Sequence, residues 1–478
     1  MDLVYFILTL FFIVSPIFAD EEKGKLVFVY TQFRHGARGP AYGFNENGTD
    51  YFGQKWKSPQ DLTAVGMRMH YTLGIRNRKR FQGLLSDIFD PREVIVKSTN
   101  FNRTIQSAYA QLQGLYSPLA SADIDEKMET KMKELNNYPK ELEEYIHENI
   151  KTMNKFSLPD KMQIFPIHIY NVIDHKFLLH TEESLSGCKG VMPIRAQNRK
   201  GEKYNEVIKN LTEAEGEPMK KIFNGTKLDL TNGTDLFNIC DQFICDLYDG
   251  RVNKSNVSET FEESCQKFLS KLLFSEEFGD EKNEVLDMSM SPVFEELLYY
   301  MNNSIVNDIT NEGKQKLGIY TPKLVMISGH DVSMMGMMEY LKNAFNIEKE
   351  IPIVPFATSL SLEVYKKGET KSAKDYTIHY YINDDEIATF SFEDFNSTKI
   401  RDKIWSEDKI GNFCEFADLK EENTLNTLLY VTLGLSGLAI VLVLTLIIII
   451  VIMKVKIKNK INVNEGNGNA QGLLPNKN

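Results

Sequence analysis

The sequence predicts an α/β fold: a mixed, mainly parallel sheet with helices on both faces, interrupted by an inserted, mainly α-helical cap. Three segments carry this prediction, and each reads as an apolar strand, a short polar turn and a helical pattern. The first is 25–33, KLVFVYTQF, which runs into RHGARGP at 34–40. The second is 94–98, VIVKS, followed by the turn 99–103 and a helical stretch over 104–115. The third is 323–327, KLVMI, followed by SGHD at 328–331 and a helix over 332–345. Near-continuous apolar strands alternating with helices are the mark of a parallel sheet covered on both sides. Residues 162–170, which contain Phe165-Pro166-Ile167-His168, read as a strand returning to that sheet. Alternating runs at 359–365, 376–382 and 386–392 predict antiparallel strands that complete it.

Between the second and third strands the chain is rich in Lys and Glu. Residues 125–135 and 140–154 have helical spacing with mixed charge, the pattern of solvated helix faces. The cap is assigned to 121–159 and 186–299, leaving 24–120, 160–185 and 300–415 to the α/β core. The overall mixture of 42% hydrophobic and 25% charged residues in 478 is that of a globular protein, which excludes wholesale disorder and fibrous repeats. A net charge of −11 disfavours nucleic acid, whose phosphates ask for a basic face.

Both ends point to the secretory route. Residues 3–19 are uncharged and apolar, end in Ala19 and are followed by Asp20, Glu21 and Glu22, which predicts a signal peptide over 1–19. Its first residues lack Lys and Arg, so an uncleaved anchor is the alternative. No charge occurs between Glu422 and Lys454, and 428–453 is a run of mostly Leu, Ile and Val long enough to cross a bilayer once. Lys454, Lys456, Lys458 and Lys460 then place the tail 454–478 in the cytoplasm. The expectation is a type I membrane protein with its body, 20–427, lumenal or extracellular. Lysosomal or endosomal membrane and plasma membrane are both open, and a homodimer is compatible with these features. Sequons at Asn47, Asn210, Asn224, Asn232, Asn253, Asn256, Asn302 and Asn396 agree with export, as does a ninth at Asn102. In that compartment Cys188, Cys240, Cys245, Cys265 and Cys414 oxidise, and an odd number leaves one thiol over.

In an open α/β sheet, ligands bind beyond the carboxyl ends of the strands. The three loops therefore bring Arg34, Arg38, Arg103, His35, His330 and Asp331 to one place. Guanidiniums hold phosphate oxygens in pairs, and Arg103 adds a fork beside the positive end of a helix. Among such cations a protonated imidazole is disfavoured, so His35 keeps a neutral, nucleophilic nitrogen and can take a phosphoryl group covalently. His330 can donate to the phosphate oxygens, and Asp331 can give the leaving group its proton. Taken alone, an RHG or an HD pair is an ordinary surface turn; their joint position at strand ends carries the reading. The match of Cys245 to Arg251 with the C-x₅-R phosphatase loop is set aside, because Asp246 and Asp249 repel phosphate. No HExxH, C-x₂-C, P-loop or dinucleotide fingerprint occurs, so no cofactor or metal is implied. The run Met334, Met335, Met337, Met338 reads as helix core, and His168 as a neighbour of the sheet.

The chain resembles the histidine acid phosphatases, the secretory branch of the histidine phosphatase superfamily. The resemblance is carried by RHGARGP at 34–40, the stretch at 62–81, KSTNFNRTIQSAYAQLQGLY at 97–116, FPIHIY at 165–170, SGHD at 328–331 and PFATSLSLEVY at 355–365. It implies a phosphoglycerate mutase-like fold and hydrolysis of phosphate monoesters. By it His35 is the nucleophile, Asp331 the proton donor, and Arg34, Arg38, Arg103 and His330 the phosphate ligands. The signal peptide with a single C-terminal span is similar to the lysosomal, membrane-anchored members. The resemblance also suggests a Cys188–Cys414 bridge and lacks the one that family members make near Ser359; Cys265 pairs with either Cys240 or Cys245. Alternatives are a phytase-like or lysophospholipid phosphatase, and a non-catalytic cell-surface binding ectodomain.

Asn102 adjoins Arg103, where a glycan would crowd the phosphate pocket. Peptide mapping of the secretory form is expected to find Asn102 unmodified, and a glycan there would count against Arg103 as a phosphate ligand.

Overall fold

The computed structural model describes residues 23–41, 49, 53–116, 158, 162–169, 188–222, 229–252, 260–310, 322–350, 352–368, 372–414 and 452–453. The chain divides into two compact units, Met1–Cys414 and Glu415–Asn478; of the second, only the helical residues 452–453 are described. The signal peptide, the helices expected at 125–135 and 140–154, Asn47, Asn224, Asn253, Asn256 and nearly all of 428–453 lie outside the described residues. Among the described residues no helix is long and apolar enough to cross a membrane.

In the first unit, seven strands form one sheet in the order β3-β2-β4-β1-β5-β6-β7: β1 Lys25–Arg34, β2 Val94–Ser98, β3 His168–Ile169, β4 Leu324–Gly329, β5 Ser359–Lys366, β6 Tyr376–Ile382 and β7 Asp385–Ser391. The first four in spatial order run parallel, and β5, β6 and β7 are antiparallel, as the apolar and alternating runs respectively predict. Register decides what the sheet presents. Arg34 pairs with Gly329 and Ser98 with Ser328, so β1, β2 and β4 end side by side. The returning strand is only two residues long, pairs with Lys97 and Ser98 at the sheet edge, and leaves His168 exposed.

Helices cover both faces. α1 (Ala64–Arg80) starts at Thr63, whose hydroxyl accepts from Gly66 N at 3.1 Å, and packs along α2 (Asn102–Leu115). Val29 and Phe33 of β1 share a core with Ala108, Leu112 and Leu115 of α2. By the period-two alternation of a strand, Phe28 and Tyr30 point to the opposite face. There α7 (Glu284–Thr310) and α8 (Asp331–Phe345) cover the sheet, with all four methionines of the 334–338 run buried. The expected cap–core boundary at 299/300 falls inside α7, a single helix that packs on β1 and α8. Glu363 of β5 is fully buried; it accepts from Arg80 Nε, Ser361 and Tyr365, which ties α1 to the antiparallel half.

The insertion is helical: α3 Val191–Asn198, α4 Glu202–Ile222, α5 Gly233–Tyr248 and α6 Phe261–Phe278. It has its own apolar centre around Leu236, Phe243, Phe261 and Phe268, and that cluster takes in Ala37 and Phe356 from the core. Asn232 caps α5 by accepting from Thr234 N. The short helices α9 Phe392–Phe395, α10 Thr398–Arg401 and α11 Glu407–Cys414 close the unit. A disulfide joins Cys188 to Cys414 across 226 residues, and a second joins Cys240 on α5 to Cys265 on α6. Cys245 is a buried free thiol.

The α1–α2 contact requires glycine. A Cβ on Gly74 would lie 2.0 Å from Gln111 O, a backbone atom that cannot step aside. Gly74→Ala is expected to destabilise the protein by about 1–3 kcal/mol in a denaturant titration. A non-reducing peptide map is expected to recover Cys188–Cys414 and Cys240–Cys265, with Cys245 alkylated only after unfolding.

Candidate active site

The RHG segment is anchored on every side. Arg34 N donates to Thr358 O at 3.0 Å, His35 N to Gly329 O at 3.0 Å, and Ala357 N to His35 O at 3.1 Å. Gly36 N donates to the Ser107 hydroxyl of α2 at 3.1 Å. A Cβ at Gly36 would meet Gly66 O at 2.5 Å, so the loop can lie against the first turn of α1 only without a side chain. Ala357 takes the left-handed φ of 59° in the turn that precedes β5, and Phe356 beside it lies under the arginines.

His35 is 2% exposed. Its Nδ1 lies 2.9 Å from Gly36 O, which can only accept, so Nδ1 carries the hydrogen and Nε2 keeps its lone pair. Burial, then the charges of Arg103, Arg38 and Arg34, hold its pKa well below the usual histidine value. His330 caps α8, its ring 5.5 Å from that of His35, with Nε2 3.1 Å from the Thr99 hydroxyl. Burial first, and then Arg103, Arg34 and Arg38, depress its pKa too.

Each of the first two arginines is held by a carboxylate and an aromatic face. Arg34 Nη2 is 2.8 Å from Asp331 Oδ2, its Nη1 donates to Val354 O at 2.5 Å, and its guanidinium lies 4.5 Å over Phe356. Arg38 donates to both oxygens of Asp241, Nη2 to Oδ1 at 2.9 Å and Nη1 to Oδ2 at 3.1 Å. Arg103, in the first turn of α2, lies 4.4 Å over Phe101. The Nε groups of Arg34 and Arg38 are buried donors with no acceptor among the described residues. Asp331 opens α8, and its Oδ1 accepts from Val332 N.

All six residues singled out from the sequence thus meet at one end of the sheet. Three neighbours were not singled out: Asp241, Thr99 and Phe356. Thr99 and Phe356 lie inside stretches that carry the resemblance, and nothing in the sequence marks Asp241 among the many acidic residues of the cap. His168 sits at the exposed sheet edge. The C-x₅-R match forms no anion loop: burial pushes the Cys245 thiol up, and Arg251 pairs with Asp249 at 2.6 Å. Asn102 is exposed at the start of α2, its Nδ2 3.3 Å from Asp61.

A family model described as the histidine phosphatase superfamily (branch 2) matches residues 18–383. The chain belongs to this family. This branch 2 phosphatase-family chain is 37% identical over 122 residues to a lysosomal acid phosphatase of Xenopus laevis, covering 25% of this chain and 26% of that relative. It is 25% identical over 381 residues to the prostatic acid phosphatase of Homo sapiens, covering 77% of this chain and 81% of that one. A phytase of Klebsiella sp. ASR1 superposes with a TM-score of 0.48 at 11% identity over 80% of this chain and 95% of that structure, a likeness that carries no argument about substrate.

A third buried histidine, His70 of α1, bonds Gln111 through Nδ1 at 3.2 Å, and burial lowers its pKa to about 4. The unfolded chain takes up this proton near pH 6.5 while the folded one does not, so the contribution is complete above that pH. It is lost as the pH falls from about 6.5 towards 4, by up to roughly 3 kcal/mol. His70→Gln is expected to flatten the dependence of the melting temperature on pH in that window.

Proposed function

We propose that this protein is an acid phosphatase that hydrolyses phosphate monoesters through a phosphohistidine on His35. The observation that carries the reading is a buried, neutral imidazole whose Nδ1 is tied to Gly36 O while three guanidiniums depress its protonation. Its Nε2 attacks phosphorus as the bond to the ester oxygen breaks, and Asp331 gives that oxygen its proton. Water then attacks the phosphohistidine, returns a proton to Asp331, and releases phosphate and free His35. Arg34, Arg38, Arg103 and His330 hold the charge of the transferring group. A phosphate dianion on Arg34 competes with Asp331 for the guanidinium, which frees the carboxyl group to carry a proton. The names of the relatives, lysosomal and prostatic acid phosphatase, support the same class of reaction.

The rest of the proposal concerns the chain around the domain. It is a secreted, glycosylated body at 20–427, anchored by 428–453 with a cytoplasmic tail, and lysosomal membranes are the destination that the relatives' names favour.

The detergent-solubilised chain is expected to turn over an aryl phosphate best in the acidic range, where protons are available for the leaving group and burial among the arginines keeps His35 neutral. His35→Ala is expected to lower kcat by about three orders of magnitude or more. An optimum near pH 8, or unchanged turnover in that variant, would overturn the assignment.

A further inference from the structure

We infer that Asp241, on cap helix α5, is a positioning residue for phosphate: it clamps one edge of Arg38 so that the other edge faces the substrate. The inference rests on the phosphatase reading for what the site binds.

A guanidinium has five N–H groups in a fixed plane. Asp241 takes one from each Nη of Arg38, at 2.9 and 3.1 Å. Gly39 O accepts from Nη1 at 3.1 Å, with Cys245 Sγ 3.4 Å from the same nitrogen. What remains is Nε–H, buried without an acceptor among the described residues, and the second hydrogen of Nη2. These two lie on the same edge and make a second fork, the geometry that holds two oxygens of one phosphate. The face of the guanidinium is fixed by Phe356, 5.7 Å from its centre.

The clamp is itself held from two sides. Ala41 N, just past the RHGARGP loop, donates to Asp241 Oδ2 at 2.9 Å. The preceding residue, Cys240, is bonded to Cys265 and fastens α5 to α6. Asp241 also lines a small cavity together with Arg34 and Phe356. The cap is therefore part of the phosphate site as well as a cover for it. The alternative role for this carboxylate is that of a competing anion, whose removal would tighten phosphate binding.

The test is inorganic phosphate binding to the full chain in detergent by calorimetry at acidic pH, with melting temperatures for every variant. Asp241→Asn is expected to weaken binding by on the order of tenfold. In an Arg38→Ala background the same change is expected to cost no more than about twofold, because both act through one fork. In turnover assays KM should rise in step with the phosphate dissociation constant, and kcat/KM should fall by at least the same factor. Equal or tighter phosphate binding by Asp241→Asn, or penalties that add in the double variant, overturns the inference. Should Asp241→Asn fail to fold, Asp241→Glu keeps the charge and moves it by one methylene; a several-fold loss supports the clamp, and wild-type affinity overturns it. Phosphate binding without turnover in the wild type sinks the phosphatase reading alone. A wild type that binds no phosphate sinks both.

Discussion

Gathering three guanidiniums, those of Arg34 and Arg38 buried, beside an unprotonated imidazole is the constraint around which the rest of this structure is arranged. Like charges in a low-dielectric site repel, and each buried N–H group requires an acceptor. The protein meets most of this with fixed partners, Asp331 on Arg34, Asp241 on Arg38 and the faces of Phe356 and Phe101 under the planes, and leaves the Nε groups of Arg34 and Arg38 without an acceptor among the described residues. The same crowding keeps His35 neutral, which is what a nucleophilic nitrogen needs. Cost and function have one origin.

The sheet supplies the rigidity. His35 is bonded on both sides, to Gly329 at the end of β4 and to Ala357 before β5, so its imidazole sits at the seam between the parallel and antiparallel halves. α2 fastens the loop from a third direction through Ser107, and its close packing on α1 fixes where Arg103 begins. A displacement of any of these elements would be felt directly at the imidazole, because each is bonded to the backbone of His35 or Gly36.

The cap reaches the site through chemistry that no local pattern announces. Cys240 and Cys245 are five residues apart on one helix, about 140° around its axis, so they face different neighbours. Cys240 meets Cys265 on α6, while Cys245 faces the RHGARGP loop as a buried thiol. Both pairings of Cys265 were open in the sequence for that reason: spacing alone does not say which face of α5 looks at α6. Asp241 was hidden in the same way, as one carboxylate in a charged insertion.

The sequence by itself determined the strands other than the returning one, which spans two residues of the stretch read at 162–170, their parallel or antiparallel sense and the convergence of Arg34, His35, Arg38, Arg103, His330 and Asp331. Strand periodicity and the rule that such sheets bind at their carboxyl ends are local and topological, and both can be read from residue order. Only the tertiary structure decided which carboxylate restrains Arg38, which ring lies under the arginines, which cysteine stays reduced and how far α7 extends across the cap boundary. Those outcomes depend on contacts between residues about 200 positions apart, as in the pair Arg38 and Asp241, and on the rotational phase of each helix, which packing sets.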